Sequence, residues 1–370
     1  MLSLCDASNN TPIKSIKSQD GDIIDCIHIY DQPAFDHPLL KNHTILMRPS
    51  FHPNSELLNP HSQENTNSIT QSWQLSGKCP DNTIPILRNQ NARKTKKYVM
   101  KQNETVSQSS SDDDMKSLDP YTHEYAIAYV QGDKYHGAKA TINVWQPYVQ
   151  NRIEFSLSQI WVVGGHDSTI NTVEAGWTVD PSVFGDNKPR LFTYWTRDHY
   201  GSTGCYNMFC PGFVQTSTKI ALGANISPVS TYHGPQFDIS LYIVKDEQFA
   251  VWWLQLGNDV VGYWPTSLFT NLADSASTIQ WGGEVINLKP NGQHTTTQMG
   301  SGHFPEEGFK GASYFKNLQV VDVSKTLRSP GTLYTFAANS NYYRILLEKS
   351  SDAWGNYFYY GGPGRNANCP

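Results

Sequence analysis

Charge is scarce in this sequence. Only 16% of its 370 residues are Asp, Glu, Lys or Arg, and the net charge is −5. No broad basic surface can form from that composition, which argues against nucleic acid or an anionic membrane as partner. Long apolar runs are missing as well: none approaches the ~20 residues that a membrane helix needs. The opening, MLSLCDASNN, has neither the basic region nor the apolar stretch of about 7–15 residues that a secretory signal requires. It reads as an intracellular chain or a truncated start. Metal-binding spacing is absent too. His166 in GGHD and His199 in RDHY belong to no i, i+4 pair and have no cysteine at zinc spacing, so no metal is expected. The glycines of GGPG near the end are not followed by the lysine and helix of a phosphate loop, and no G-x-S-x-G elbow occurs. No cofactor is expected.

Cysteine is sparse but informative. There are six: Cys5, Cys26, Cys79, Cys205, Cys210 and Cys369. Cys205 and Cys210 flank YNMF, a spacing that suits a disulfide closing a tight loop, and a Cys26–Cys79 bridge would staple the N-terminal region. Sequons stand at Asn42, Asn103 and Asn225, and also at Asn9. With the loop disulfide they favour secretion, against the missing leader.

The chain is 38% hydrophobic, enough for a sizeable core, and its length suggests two domains at about 150 residues each. Residues 1–87 are rich in His and Pro and read as a small N-terminal region. Residues 88–119 turn basic (RNQNARKTKKYVMK) and then Ser/Asp-rich, as an exposed, cleavable linker does. Residues 120–370 are short segments rich in β-branched and aromatic residues and broken by Gly, Pro, Asn and Asp, among them EYAIAYV, EFSLSQIWVV, RLFTYWTRD and FAVWWLQLG. Many antiparallel strands with one buried face predict an all-β sandwich of two packed, jelly-roll-like sheets.

Two strands carry an acid in an unusual setting. In INTVEAGWTVD the two-residue period puts Val173, Ala175, Trp177 and Val179 on one face and Thr172, Glu174, Gly176, Thr178 and Asp180 on the other. In STIQWGGEVIN it puts Ile279, Trp281, Gly283 and Val285 on one face and Thr278, Gln280, Gly282 and Glu284 on the other. A carboxylate on a polar face is ordinarily there to meet water. Here each glutamate has a glycine two residues away on its own face, Gly176 and Gly282, and glycine in a strand marks close approach by backbone or ligand. Two such strands would set two carboxylates over a bare floor. Like charges resist ionising together, so one pKa rises and the other falls, which suits acid–base hydrolysis of a peptide or a glycosidic bond. The period does not choose between them.

The segments VEAGWTVDPSVFGDNKPRLFTYWTRD, GCYNMFCPGFVQ, VGYWPTSLF, WGGEV and GNYFYYGGPGRNANCP run in order through residues 120–370 and closely resemble the plant neprosin family. CIHIYDQPAFDHPLLKNHTI looks like that family's N-terminal activation region. The resemblance implies a secreted glutamic peptidase that cuts after proline and is made as a latent precursor. Residues 1–87 would then be the activation peptide and intramolecular inhibitor, and residues 120–370 the catalytic β-sandwich, acting as a monomer on proline-containing peptides or proteins. By match to EAGW and GGEV it makes Glu174 and Glu284 the catalytic pair, with the acid and base roles open between them. For substrate contacts, Gly176, Gly282, Gln280, Tyr194 and Trp195 are the candidates, with Gln280 as a donor to the oxyanion and the aromatic rings as a flat subsite for proline. Trp161 and Trp281 are also aromatic but are expected in the core. Family members often pair the C-terminal cysteine with one upstream; here that stretch reads NSNYYRILL, so Cys369 is expected to be unpaired. A β-sandwich glycosidase, with carboxyls about 5–5.5 Å or 6.5–9.5 Å apart, and a non-catalytic sugar- or peptide-binding sandwich remain the alternatives.

Overall fold

The computed structural model describes residues 11–51, 70–88, 122–367 and 369. Cys5, Asn9, Asn103 and the linker beyond Arg88 lie outside the described residues. The N-terminal part supplies β1 (Lys14–Lys17), β2 (Ile23–His28), β3 (Thr70–Gln71) and β4 (Thr83–Leu87). The next strands are β5 (Thr122–Tyr135), β6 (Gly137–Asn143), β7 (Ser156–Gly164), β8 (Asn171–Val179), β9 (Arg190–Thr196) and β10 (Cys205–Tyr206). After them come β11 (Val214–Gln215), β12 (Ile226–Ser227), β13 (Asp238–Asp246), β14 (Val251–Leu256), β15 (Asp259–Pro265) and β16 (Ala276–Asn287). The chain ends with β17 (Ser313–Val321), β18 (Leu327–Arg328), β19 (Tyr334–Ala337), β20 (Arg344–Leu347) and β21 (Phe358–Gly361).

Two large antiparallel sheets result. One runs β10-β9-β8-β7-β16-β5-β19 and the other β11-β15-β14-β13-β6-β17-β21-β20, with β18 pairing to β17. They pack face to face over a shared core. Val173, Ala175, Trp177, Val179, Ile279 and Trp281 enter it from the first sheet, and Ile142, Leu241, Ile243, Leu254 and Phe315 from the second. The expected all-β sandwich is borne out, and the reason is the alternation: each strand has one apolar row that only a facing sheet can bury. Where β8 stops, Asp180 Oδ1 accepts from the backbone amides of Ser182 (3.0 Å) and Val183 (3.1 Å) and starts the short α1 (Pro181–Phe184). Pro181 fits its first turn, and Gly185, at φ 84°, closes it in the left-handed region.

The N-terminal part forms a sheet of order β1-β2-β4, bridged by the Cys26–Cys79 disulfide. It is not a detached appendage. Its Ile29, Ala34, Leu40 and Ile84 join the core of the sandwich, and β3 pairs with β12. Gln32 Nε2 donates to the Gln215 carbonyl (3.1 Å), while Gln215 N donates to Gln32 Oε1 (2.7 Å). Asp22 takes both terminal nitrogens of the buried Arg190 at 2.9 Å each.

Candidate active site

The strand β7 lies between β8 and β16, and the pairing of the three sets up rows on one face. Glu174, Trp161 and Gln280 make one row; Gly176, Gln159 and Gly282 the next; Thr178, Leu157 and Glu284 the third. Both glutamates therefore stand on the same face of the sheet, with the row of Gly176 and Gly282 between them. That face is the reverse of the one that carries Trp177 and Trp281 into the core. The glycines have a reason of their own. A Cβ on Gly176 would lie 2.0 Å from the Ser158 carbonyl oxygen, and one on Gly282 2.2 Å from that of Ala126. The neighbouring backbone forbids a side chain, and the bare row follows from it.

Neither glutamate is a solvated surface charge: Glu174 is 4% exposed and Glu284 5%. Around them lies a second apolar cluster that includes Phe155, Leu157, Trp161, Phe192, Tyr194 and Tyr200. Glu174 Oε1 accepts from Thr172 Oγ1 (2.7 Å) and Tyr200 OH (2.7 Å), and its Oε2 accepts from Gln159 Nε2 (2.9 Å). Burial pushes the Glu174 carboxyl up to about 7; the negative charge of Glu284 adds to the rise, and the three donors pull against it. Glu284 has a different environment, with His123 Nδ1 at 2.5 Å from its Oε1. One carboxyl is thus biased to keep its proton and the other sits against an imidazole, close enough for its charge to be felt at the first.

The remaining candidates divide. Tyr194 pairs across from Glu174 and lies on its face, buried. Gln280 is half-buried in the row of Glu174. Trp195 does not belong to the site. It follows Tyr194, so alternation turns it to the opposite face, where it packs in the core edge-on to Phe269 (centroids 5.7 Å) and near His37 (6.3 Å). Trp161, expected in the core, lies on the glutamate face directly opposite Glu174; Trp281 is in the core. The Cys205–Cys210 disulfide closes the loop at β10, which pairs with Tyr194 and Trp195 of β9. Among the described cysteines, Cys369 has no disulfide partner. Asn42 is exposed, whereas Asn225 is half-buried and its Nδ2 donates to Asp20 (3.3 Å). Among the described residues no group of three or more His, Cys, Asp or Glu could hold a metal ion.

Three partners escaped the reading of the sequence. Gln159 is a polar residue in a strand buried along its whole length, which is a signal on its own. His123 immediately precedes EYAIAYV and continues its alternation. Tyr200 comes from a loop, and no local pattern points to it.

The family model described as Neprosin matches residues 152–363, and the Neprosin activation peptide model matches residues 15–129. Among solved structures the chain is similar to scytalido-glutamic peptidase with a peptide-based transition-state analogue. Identity is 13% and the TM-score 0.36, over 66% of this chain and 99% of that one. It is also similar to SCP-B, a member of the eqolisin family of peptidases, in complex with the tripeptide Ala-Ile-His. There identity is 12% and the TM-score 0.33, over 65% of this chain and 98% of that one.

Proposed function

Because this chain belongs to the neprosin family, whose members are peptidases, we propose that Glu174 and Glu284 together hydrolyse peptide bonds on the C-terminal side of proline. The observation that carries this reading is the unlike surroundings of two carboxyls on one face. Glu284, against His123, is the charged partner and the base: it takes a proton from water, whose oxygen attacks the scissile carbonyl carbon. Glu174 is neutral and acts as the acid. Its proton first bonds to the carbonyl oxygen as negative charge develops there, then passes to the leaving amine. The proton held by Glu284 restores Glu174, and the cycle closes with one water consumed. Gln280, in the row of Glu174, is the further donor we assign to the oxyanion.

The proline preference is ascribed to Trp161 and Tyr194, which flank Glu174 in its own row and offer flat rings to a pyrrolidine. Two disulfides among the described residues favour an oxidising, extracellular compartment. The activation-peptide match supports a latent precursor whose N-terminal part restrains a monomeric enzyme until it is cut in residues 88–119.

Matched peptides with Pro or Ala before the scissile bond test this at mildly acidic pH, alongside polysaccharides and with serine, cysteine, metal and pepstatin-type inhibitors present. Cleavage after Pro at about 10-fold or more the rate after Ala, insensitive to the inhibitors, is expected. Equal rates reject the proline subsite. Sugar release points to the glycosidase, and binding without products to a non-catalytic sandwich.

A further inference from the structure

His123 lies near the start of β5, opposite Ile286 and two residues before Tyr125, which pairs with Glu284. Alternation puts it on the glutamate face, and its ring packs against Phe155 (centroids 5.9 Å) and Tyr125 (6.4 Å). Its side chain is 5% exposed and that of Glu284 7%, with Nδ1 and Oε1 2.5 Å apart. The second ring nitrogen, Nε2, is buried and has no hydrogen-bond partner among the described residues. A histidine kept for packing alone would be expected to satisfy both nitrogens, since a buried unpaired one costs stability. Among the described residues, the ring's one polar contact goes to a single oxygen of the proposed base.

We propose that His123 is a positioning residue for the peptidase reaction: its Nδ1–H donates to Oε1 of Glu284, fixes that carboxylate in one orientation as the charged partner, and leaves Oε2 to take the proton of the attacking water. This inference rests on the peptidase reading above. The Nδ1–H bond stays intact through the cycle, while Oε2 of Glu284 gains and loses one proton per turnover. Besides His123, the titratable groups that sense the Glu284 charge are Glu174 on β8 and Tyr206 on β10, and Tyr125 pairs with Glu284 from β5. Of these, His123 alone supplies a basic nitrogen within hydrogen-bond reach of Glu284 among the described residues. Without it the two glutamates would compete more nearly as equals for one proton, and the division of roles would blur.

The test compares His123→Leu, which fills the volume without a donor, with His123→Asn, whose amide can donate from the place of Nδ1. Both are made in the full chain, cut in residues 88–119 in the same way as wild type, and assayed as kcat and KM against pH. Leu is expected to lower kcat about 10²-fold with little change in KM. Asn is expected to stay within about 10-fold of wild type in kcat. A folded Leu variant with wild-type kcat, or an Asn variant as poor as Leu, overturns the inference. Should the Leu variant not fold, the same point is read from the Nδ1 proton resonance of His123 in the unmodified ring. A strongly downfield, exchange-protected signal that moves upfield in Glu284→Gln supports the contact, and an unprotonated Nδ1 overturns it. Glu284→Gln also separates the two readings. If that variant keeps its activity the peptidase scheme itself fails; if it is inactive while His123→Leu behaves as wild type, only the role of His123 fails.

Discussion

Glu174 changes its charge near neutrality, and this gives two pH effects a definite sign. Its carboxyl rises from the ordinary 4.5 to about 7, first through burial and further through the charge of Glu284. Below that value it holds the proton the scheme requires, so kcat should fall on the alkaline side with an apparent pKa about 7. The same shift bears on stability. Between the unfolded value and the folded one the native chain holds a proton that the unfolded chain has released. Unfolding free energy from this group is therefore greatest below pH 4.5 and declines as pH rises to about 7. The decline is on the order of 3 kcal/mol for a fully buried carboxyl shifted this far. Asp180, pushed up to about 6 by burial, acts in the same direction. Denaturant melts at acid and neutral pH should show stability falling with pH in wild type, and falling less steeply in Glu174→Gln. An unchanged slope in that variant would mean that Glu174 is not the titrating group.

At the scale of elements, β8, β7, β16 and β5 act as one unit: Gly176 lets β8 sit close to β7, and Gly282 lets β16 sit close to β5. Gly176→Ala puts a methyl 2.0 Å from the Ser158 carbonyl oxygen. The strands must part to admit it, at a cost of about 1–3 kcal/mol. The row between the glutamates would widen with them, so kcat should fall further than the loss of folded protein explains; activity per folded molecule equal to wild type would contradict this. This unit also shows what could be read from the chain alone. The faces of β8 and β16 were legible, because Val173 to Val179 and Ile279 to Val285 alternate without a break. Trp195 was misplaced because the same period was not carried along RLFTYWT, where it groups the tryptophan with Leu191, a core residue. Gln159 and His123 stand in visible strand patterns, but their partners were out of reach for a different reason. They meet the glutamates only because β7 lies beside β8 and β5 beside β16, and strand order is a property of the whole sheet that no local pattern encodes.

Over the whole molecule, the N-terminal region is tied to the sandwich by shared core side chains and by Asp22 on Arg190, a pair with side chains only 9% and 3% exposed. Arg190 would keep Asp186 (2.6 Å) and the Gly223 carbonyl (2.7 Å), so Asp22→Ala should cost about 1–3 kcal/mol and free the region at lower denaturant. Limited proteolysis across a denaturant series reads both; equal protection in variant and wild type would show that the pair does not hold the region. What the whole fold achieves is to bring Glu174 and Glu284, far apart in the chain, onto one face of one sheet. The most direct measurement of that is a double-mutant cycle of Glu174→Gln and Glu284→Gln, with kcat read on one proline-containing peptide. Each single change should lower kcat by about 10²-fold or more, and the double variant should be little worse than the poorer single, as expected of groups acting as a unit. Near wild-type turnover in either single variant, or losses that simply multiply in the double, would contradict the account.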